Sequence, residues 1–180
     1  MIEREFWAVV EGCRADSGGG FAEQVRLLHE RLSALAPEEI LSFSGHWYEA
    51  NEKAFTWPVW DAACLLLGWV GDDSFMDFRG WLISHGRTVF ERVVADPDSI
   101  ADLADDRDNA LSEDAEELGP IAGYEVYQEV AGQDPPRSQP QGRLDPTGER
   151  VDLKDELAVR ARFPRLWELR RAEQEQRADR

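Results

Sequence analysis

Residues 57–90, WPVWDAACLLLGWVGDDSFMDFRGWLISHGRTVF, decide the fold. They hold four of the seven tryptophans and the longest apolar run in the chain. Pro58 sits in the first turn of a helix, where its missing N–H costs nothing. Val59, Trp60, Ala62, Ala63, Cys64 and Leu65–Leu67 follow, and Asp61 is the only charge among them. A helix that is apolar on every side must be buried, so its neighbours wrap around it. Gly68 terminates it, and the turn Trp69-Val70-Gly71-Asp72-Asp73 leads into a second helix. That helix turns Phe75, Phe78, Leu82 and Ile83 inward and stops at Gly86, after which Thr88 and Glu91 have the spacing of a capping box for a third.

Outward from this centre the pattern stays helical. Phe6, Val9, Val10 and Cys13 mark a first helix ended by Gly18-Gly19-Gly20. Phe21, Val25, Leu28, Leu32 and Leu35 form the stripe of the next, and Pro37-Glu38-Glu39 opens a third along Ile40, Phe43, Trp47 and Ala54. Beyond residue 95, Asp96-Pro97 starts a short helical piece, and residues 105–111 read as an acidic loop. Ser112 caps a helix running to about residue 131. Residues 132–150 are a Pro/Gly-rich linker, and helix resumes over 152–163 and again from Pro164, fraying after about residue 171. The expectation is an all-α, single-domain orthogonal bundle of roughly eight helices: a helical domain over 1–131, a linker over 132–150, and a C-terminal helical tail over 151–180 that docks through Phe163 and Trp167.

Composition narrows the function. The chain has 180 residues, net charge −17, 42% hydrophobic and 10% aromatic residues. That is enough for one real core and too aromatic for a disordered chain. Residues 96–134 hold 13 acids and one base, Arg107. Such a balance opposes nucleic-acid binding, which needs Lys/Arg against phosphate. It fits either a solvated face or an acidic surface for a protein partner. No secretory signal and no apolar run of membrane-spanning length appears, and Cys13 and Cys64 sit in apolar surroundings, so a cytoplasmic protein with reduced thiols is expected.

The central pattern has further content. Trp57 through Ala63, Asp72 through Glu91, and Asp96 through Ser99 together resemble the bacterial domain of unknown function 4240 family. Glu5-Phe6-Trp7, Pro37-Glu38-Glu39-Ile40, the proline-rich linker and Arg162-Phe163-Pro164-Arg165-Leu166 resemble it too. Gly68-Trp69-Val70-Gly71 departs from the glycine-rich, cysteine-containing turn of many members. The resemblance implies a fold; it implies no activity, no cofactor and no catalytic residues.

Asp72, Asp73, Asp77 and Arg79 are the foremost candidate ligand-binding set, with Trp81 and Arg87 beside them. Asp73 and Asp77, four apart, share a helix face. Carboxylates there can hold a polar ligand or a cation, and Arg79 can grip a phosphate or carboxylate. Capping by Asp72 or Asp73 explains those two acids equally well, which leaves Asp77, Arg79 and Arg87 beyond what a cap requires. His46 and Glu49 are the reverse of the Glu-x-x-His order of two-metal bundles and occur once, so no metal site is assigned. No nucleophile elbow or phosphate-binding loop is present. Three functions remain open: a non-enzymatic binding or regulatory module acting through the acidic 96–134 face or the groove beside Asp72–Arg79; a small-ligand binder or enzyme using that cluster; and an immunity or antitoxin-like partner of a basic toxin.

Overall fold

The structure, a computed structural model, describes residues 1–136 and 142–178. The chain is all-α. Its helices are α1 (Glu3–Asp16), α2 (Phe21–Ser33), α3 (Pro37–Ala54), α4 (Trp57–Leu67), α5 (Asp72–Ser84), α6 (Arg87–Ala95), α7 (Glu113–Pro120), α8 (Val126–Ala131), α9 (Glu156–Arg162) and α10 (Pro164–Ala178). Among the described residues the only strand-like feature is a single parallel bridge between Thr56 and Thr147.

Helix α4 is the buried strut its composition demands. Thr56 caps it by accepting the Val59 N–H, and every residue from Val59 to Leu66 is buried. Trp60 locks α4 to α5: its ring stacks on Phe75 at 4.5 Å between centroids, and its indole N–H donates to the Val70 carbonyl at 2.8 Å. An aromatic ladder continues along α5 through Phe78 to Trp81. Each such side chain, withdrawn from water, contributes ~1.5–3 kcal/mol. Of the tryptophans, Trp69 alone is turned well out, 84% exposed on the α4–α5 turn. Both cysteines are buried free thiols.

Several local expectations are corrected. Residues 97–111 form a 3-10 helix, Pro97–Leu111, in place of an acidic loop after a short helix. Three of its acids, Asp98, Asp102 and Asp106, are held by distant partners, which no local pattern reveals. Asp98 accepts the N–H groups of Arg165 and Leu166 at 2.9 and 3.0 Å, so it caps α10 from another part of the chain. Asp102 pairs with Arg92 and Arg165, and Arg107 with Glu173. The capping box at Thr88–Glu91 does not form: Glu91 pairs with Arg87 instead. Gly86, at φ +87°, turns the chain so that the Arg87 N–H donates to the Glu11 carboxylate at 3.1 Å, and α6 starts two residues early. Helix α9 starts at Glu156, four residues later than the sequence suggests, because Asp155 supplies the cap. Helix α10 continues to Ala178.

The helix after Ser112 is interrupted. Pro120 has no N–H to give to the helical ladder, and the chain passes from α7 into a π turn, Ile121–Glu125, before resuming as α8. Ser44 on α3 reaches across to the carbonyl of Ala122 in that turn at 2.6 Å. Residues 137–141 of the Pro/Gly-rich segment lie outside the described residues. Its later part is pinned to the α3–α4 corner. Thr147 exchanges backbone hydrogen bonds with Trp57 and Phe55, the Arg150 guanidinium lies 4.5 Å over the Trp57 ring, and Asp61 accepts the Val151 N–H at 2.7 Å. Asp61 is fully buried, and burial raises its pKa, opposed by the Val151 hydrogen bond and the Arg150 charge. The single charge on α4 is therefore an anchor for the returning chain.

Candidate functional site

A cavity of about 440 Å³ opens between α3, α5 and the junction of α7 with the π turn. Helix geometry explains how α5 furnishes it. At 100° per residue, Met76 and Gly80 point the same way, with Asp77 and Arg79 on either flank of that line. All four line the cavity. Gly80 keeps the floor low: a Cβ there would sit 3.5 Å from both Leu118 and Trp47. Trp47 and Tyr48 of α3 form one wall, and Glu116, Gly119, Gly123 and Tyr124 form the other. Gly119 and Gly123 lie one helical turn apart, and a Cβ at either would meet nothing within 4 Å, so their lack of side chains leaves the wall open.

Arg79 faces α3. Its Nη1 donates to the Asn51 carbonyl at 3.0 Å and its Nε to the Phe75 carbonyl at 3.3 Å. The guanidinium carbon lies 4.8 Å from the Phe55 ring centre and 5.2 Å from that of Phe75. Those partners are neutral. Glu52, the acid nearest in influence, is already paired with Arg143 at 3.2 Å, and among the described residues no carboxylate forms an ion pair with Arg79. Burial lowers the Arg79 pKa to about 10, with Glu52 opposing and Arg143 adding to the fall.

Asp77 faces α7. It is half-buried and, among the described residues, has no hydrogen bond or ion pair. Burial raises its pKa first, and the negative charges of Glu116 and Asp73 raise it further. One cavity thus carries a cation without an ion-pair partner on one flank and unpaired acids on the other.

The remaining candidates are dispersed. Asp72 and Asp73 occupy the first turn of α5, exposed, and neither side chain caps it; Gly71 is the N-cap residue. Their charge still favours that helix end through the dipole. Trp81 is 0% exposed and donates its indole N–H to Asp106 at 3.0 Å, inside the core. Arg87 pairs with Glu91 at 2.7 Å at the start of α6. Trp47, one of the tryptophans whose helical spacing suits a core or groove wall, does form a wall here, whereas no sequence motif marks Met76, Glu116 or Tyr124. Gly119-Pro120 and Gly123 inside a helical segment were the available signal, because small residues one turn apart leave a hollow.

Another buried polar cluster joins α5 to the 3-10 helix. His85 Nδ1 donates to the Trp81 carbonyl at 2.9 Å, and its Nε2 lies 3.1 Å from Asp106. His85, with help from Asn109 and Trp81, holds the Asp106 carboxyl down to about 2 against the opposing effect of burial. Among the described residues, no three His, Cys, Asp or Glu side chains converge as a metal site would require. His46 faces Glu49 and the Met1 carbonyl, both at 3.3 Å.

Fold and cavity together define a helical protein with a bipolar, aromatic-walled pocket between three of its elements. Residues 1–129 match the family described as a protein of unknown function, DUF4240, and the chain belongs to that family. No curated protein and no solved structure matches it. Every cavity residue named above lies within the matched part, whereas Arg143 and the tail lie beyond it. No helix among the described residues is long and apolar enough to cross a membrane.

Proposed function

We propose that this protein is a small-ligand-binding module whose site is the cavity between α3, α5 and the π turn. The observation that supports this most is Arg79, a largely desolvated guanidinium bordering a cavity and making no ion pair among the described residues, with Glu52 of the same cavity held by Arg143. Leaving a buried charge uncompensated costs several kcal/mol unless something supplies the counter-charge, and a bound anionic group does so. About 440 Å³ lies within the usual range of small-molecule sites, and aromatic walls with a few polar groups are their usual lining. Asp72 and Asp73, at the same end of α5, contribute negative potential near the Asp77 flank; Trp81 and Arg87 act in the fold.

The test uses Gly123→Phe, which places a ring where no other atom lies within 4 Å of a Cβ. Wild type and variant are melted against a panel of metabolite-sized anions, amines and amino acids. The expected result is a ligand-dependent rise in Tm for the wild type that disappears in Gly123→Phe. A wild type that shifts with nothing, or a shift that survives the substitution, ends the reading.

A second reading has its own observation. Glu113, Asp114, Glu117 and Glu125 line a groove of about 1140 Å³ beside α2, whose Arg26 is already engaged by Glu23 and Glu30. A basic protein partner, including a toxin masked by an immunity or antitoxin-like protein, fits that charge. Binding of such a partner that survives Glu113→Gln with Glu117→Gln would exclude it.

A further inference from the structure

Resting on the cavity being a ligand site, we propose that it takes an elongated zwitterion of the ω-amino-acid type: an anionic group at Arg79, an ammonium at Asp77 and Glu116, and an apolar spacer over Met76 between them.

The placement of the charges carries this. Asp77 and Arg79 are two residues apart on α5, so their Cα atoms are ~5.4 Å apart and their side chains leave the helix ~200° apart around its axis. Their partners agree with that divergence: Arg79 reaches Asn51 on α3, while Asp77 feels Glu116 on α7. They therefore flank the cavity without neutralising each other. Nη2 of Arg79 has no partner among the described residues, and neither does the carboxylate of Asp77 or that of Glu116.

A ligand with one charge answers only half of this. A simple anion satisfies Arg79 but adds a negative charge near two acids that already repel each other. A simple amine relieves the acids but leaves the guanidinium without a counter-ion. An α-amino acid carries both charges on one carbon, too close together to reach both flanks. Charges at opposite ends of a short chain reach both, and Trp47 and Tyr124 cover the methylenes between them. Burial, which lowers the Arg79 pKa and raises that of Asp77, disfavours the charged form of each in the empty cavity, and an opposite charge on the ligand reverses both effects.

Four probes separate the possibilities: 6-aminohexanoate, its isomer norleucine with both charges on one carbon, hexanoate and hexylamine. Each is titrated into the full chain by two-dimensional NMR, following backbone amide and indole N–H signals. The expected outcome is that 6-aminohexanoate moves the signals of Trp47, Met76 and Gly123 and binds at least about tenfold more tightly than the other three. Asp77→Asn should bring 6-aminohexanoate down toward hexanoate, and Arg79→Gln should bring it down toward hexylamine. Arg79 also packs between two aromatic rings, so the comparison of probes on the wild type decides the matter if that variant does not fold. Equal binding of hexanoate, hexylamine or norleucine at the cavity signals overturns the zwitterion and leaves the cavity as a ligand site. No movement of those signals with any probe overturns both.

Discussion

Asp98→Ala is expected to loosen the C-terminal tail from the rest of the chain. Asp98 is 5% exposed, and its two carboxylate oxygens accept separate N–H groups at the start of α10, from Arg165 at 2.9 Å and Leu166 at 3.0 Å. These are the positions an ordinary N-cap serves, and removing such a cap typically costs about 1 kcal/mol. Two features raise the figure here. Hydrogen bonds to a charged acceptor are worth about 1.5–3 kcal/mol each, although part of that gain offsets the desolvation of the carboxylate. Leu166 is fully buried, so its N–H has little access to replacement water once the acceptor is gone. A net loss of about 2–3 kcal/mol is expected for Asp98→Ala, and about half of that for Asp98→Asn, whose amide keeps one oxygen acceptor.

The assay is urea unfolding, with hydrogen exchange at Leu166 and Trp167 to report on the tail itself. Asp105→Ala is the control. Asp105 is an exposed acid of the same 3-10 helix with no side-chain partner among the described residues, so its loss should change stability by less than about 0.5 kcal/mol. If Asp98→Ala and Asp105→Ala have the same midpoint and the same exchange rates, the capping account is wrong.

Acid should act through Asp106. Its folded pKa of about 2 lies below the ordinary carboxyl value of 3.8, so its contribution is complete above pH 4 and is lost as pH falls toward 2. Its side chain is 36% exposed, and after discounting for solvent screening the contribution is about 1 kcal/mol. Asp106→Asn should flatten that part of the stability–pH curve, and an unchanged curve would contradict the assignment. At Gly86, alanine meets both a φ of +87° and a Cβ placed 2.9 Å from Glu11 Cγ, so Gly86→Ala should destabilise by about 1–2 kcal/mol in thermal melts. Stability equal to wild type would mean that this turn relaxes freely.

The fold was legible where burial alone decides it. Val59–Leu67 could only be a buried helix, and Phe75, Phe78 and Leu82 could only face it, because no other placement hides that much apolar surface. The features that were not legible depend on partners far away in sequence. Nothing near Asp98 says that it caps a helix beginning at Pro164, and nothing near Glu91 says that it will pair with the Arg87 side chain while Glu11 takes the Arg87 N–H. The site divides in the same way. Asp77 and Arg79 were visible as residues exceeding the needs of a helix cap. Trp81 and Arg87 shared their stretch of sequence, but helix rotation and the Gly86 turn carry them elsewhere. The cavity wall came from Gly119, Pro120 and Gly123, forty residues away, and only the packing of α5 against α7 brings the two together.

The same partner logic changes what the net charge means. Residues 96–134 are strongly acidic, and a count alone treats that acidity as one surface. In the fold, Asp98 and Asp102 are committed to the tail and Asp106 to His85 and Trp81, so part of the first half of the stretch works as internal structure. A hint was present, since the tail that these acids meet is the part of the chain richest in arginine. Asp96, Asp105 and Asp108 still face outward in that half, while the acids from Glu113 to Glu125 are gathered beside α2 and the cavity mouth. Glu116 lines both the acidic groove and the cavity, so a cationic group entering either would meet the same carboxylate. A basic partner in the groove and an ammonium-bearing ligand in the cavity should therefore compete. If each binds with unchanged affinity when the other is saturating, Glu116 serves at most one of them.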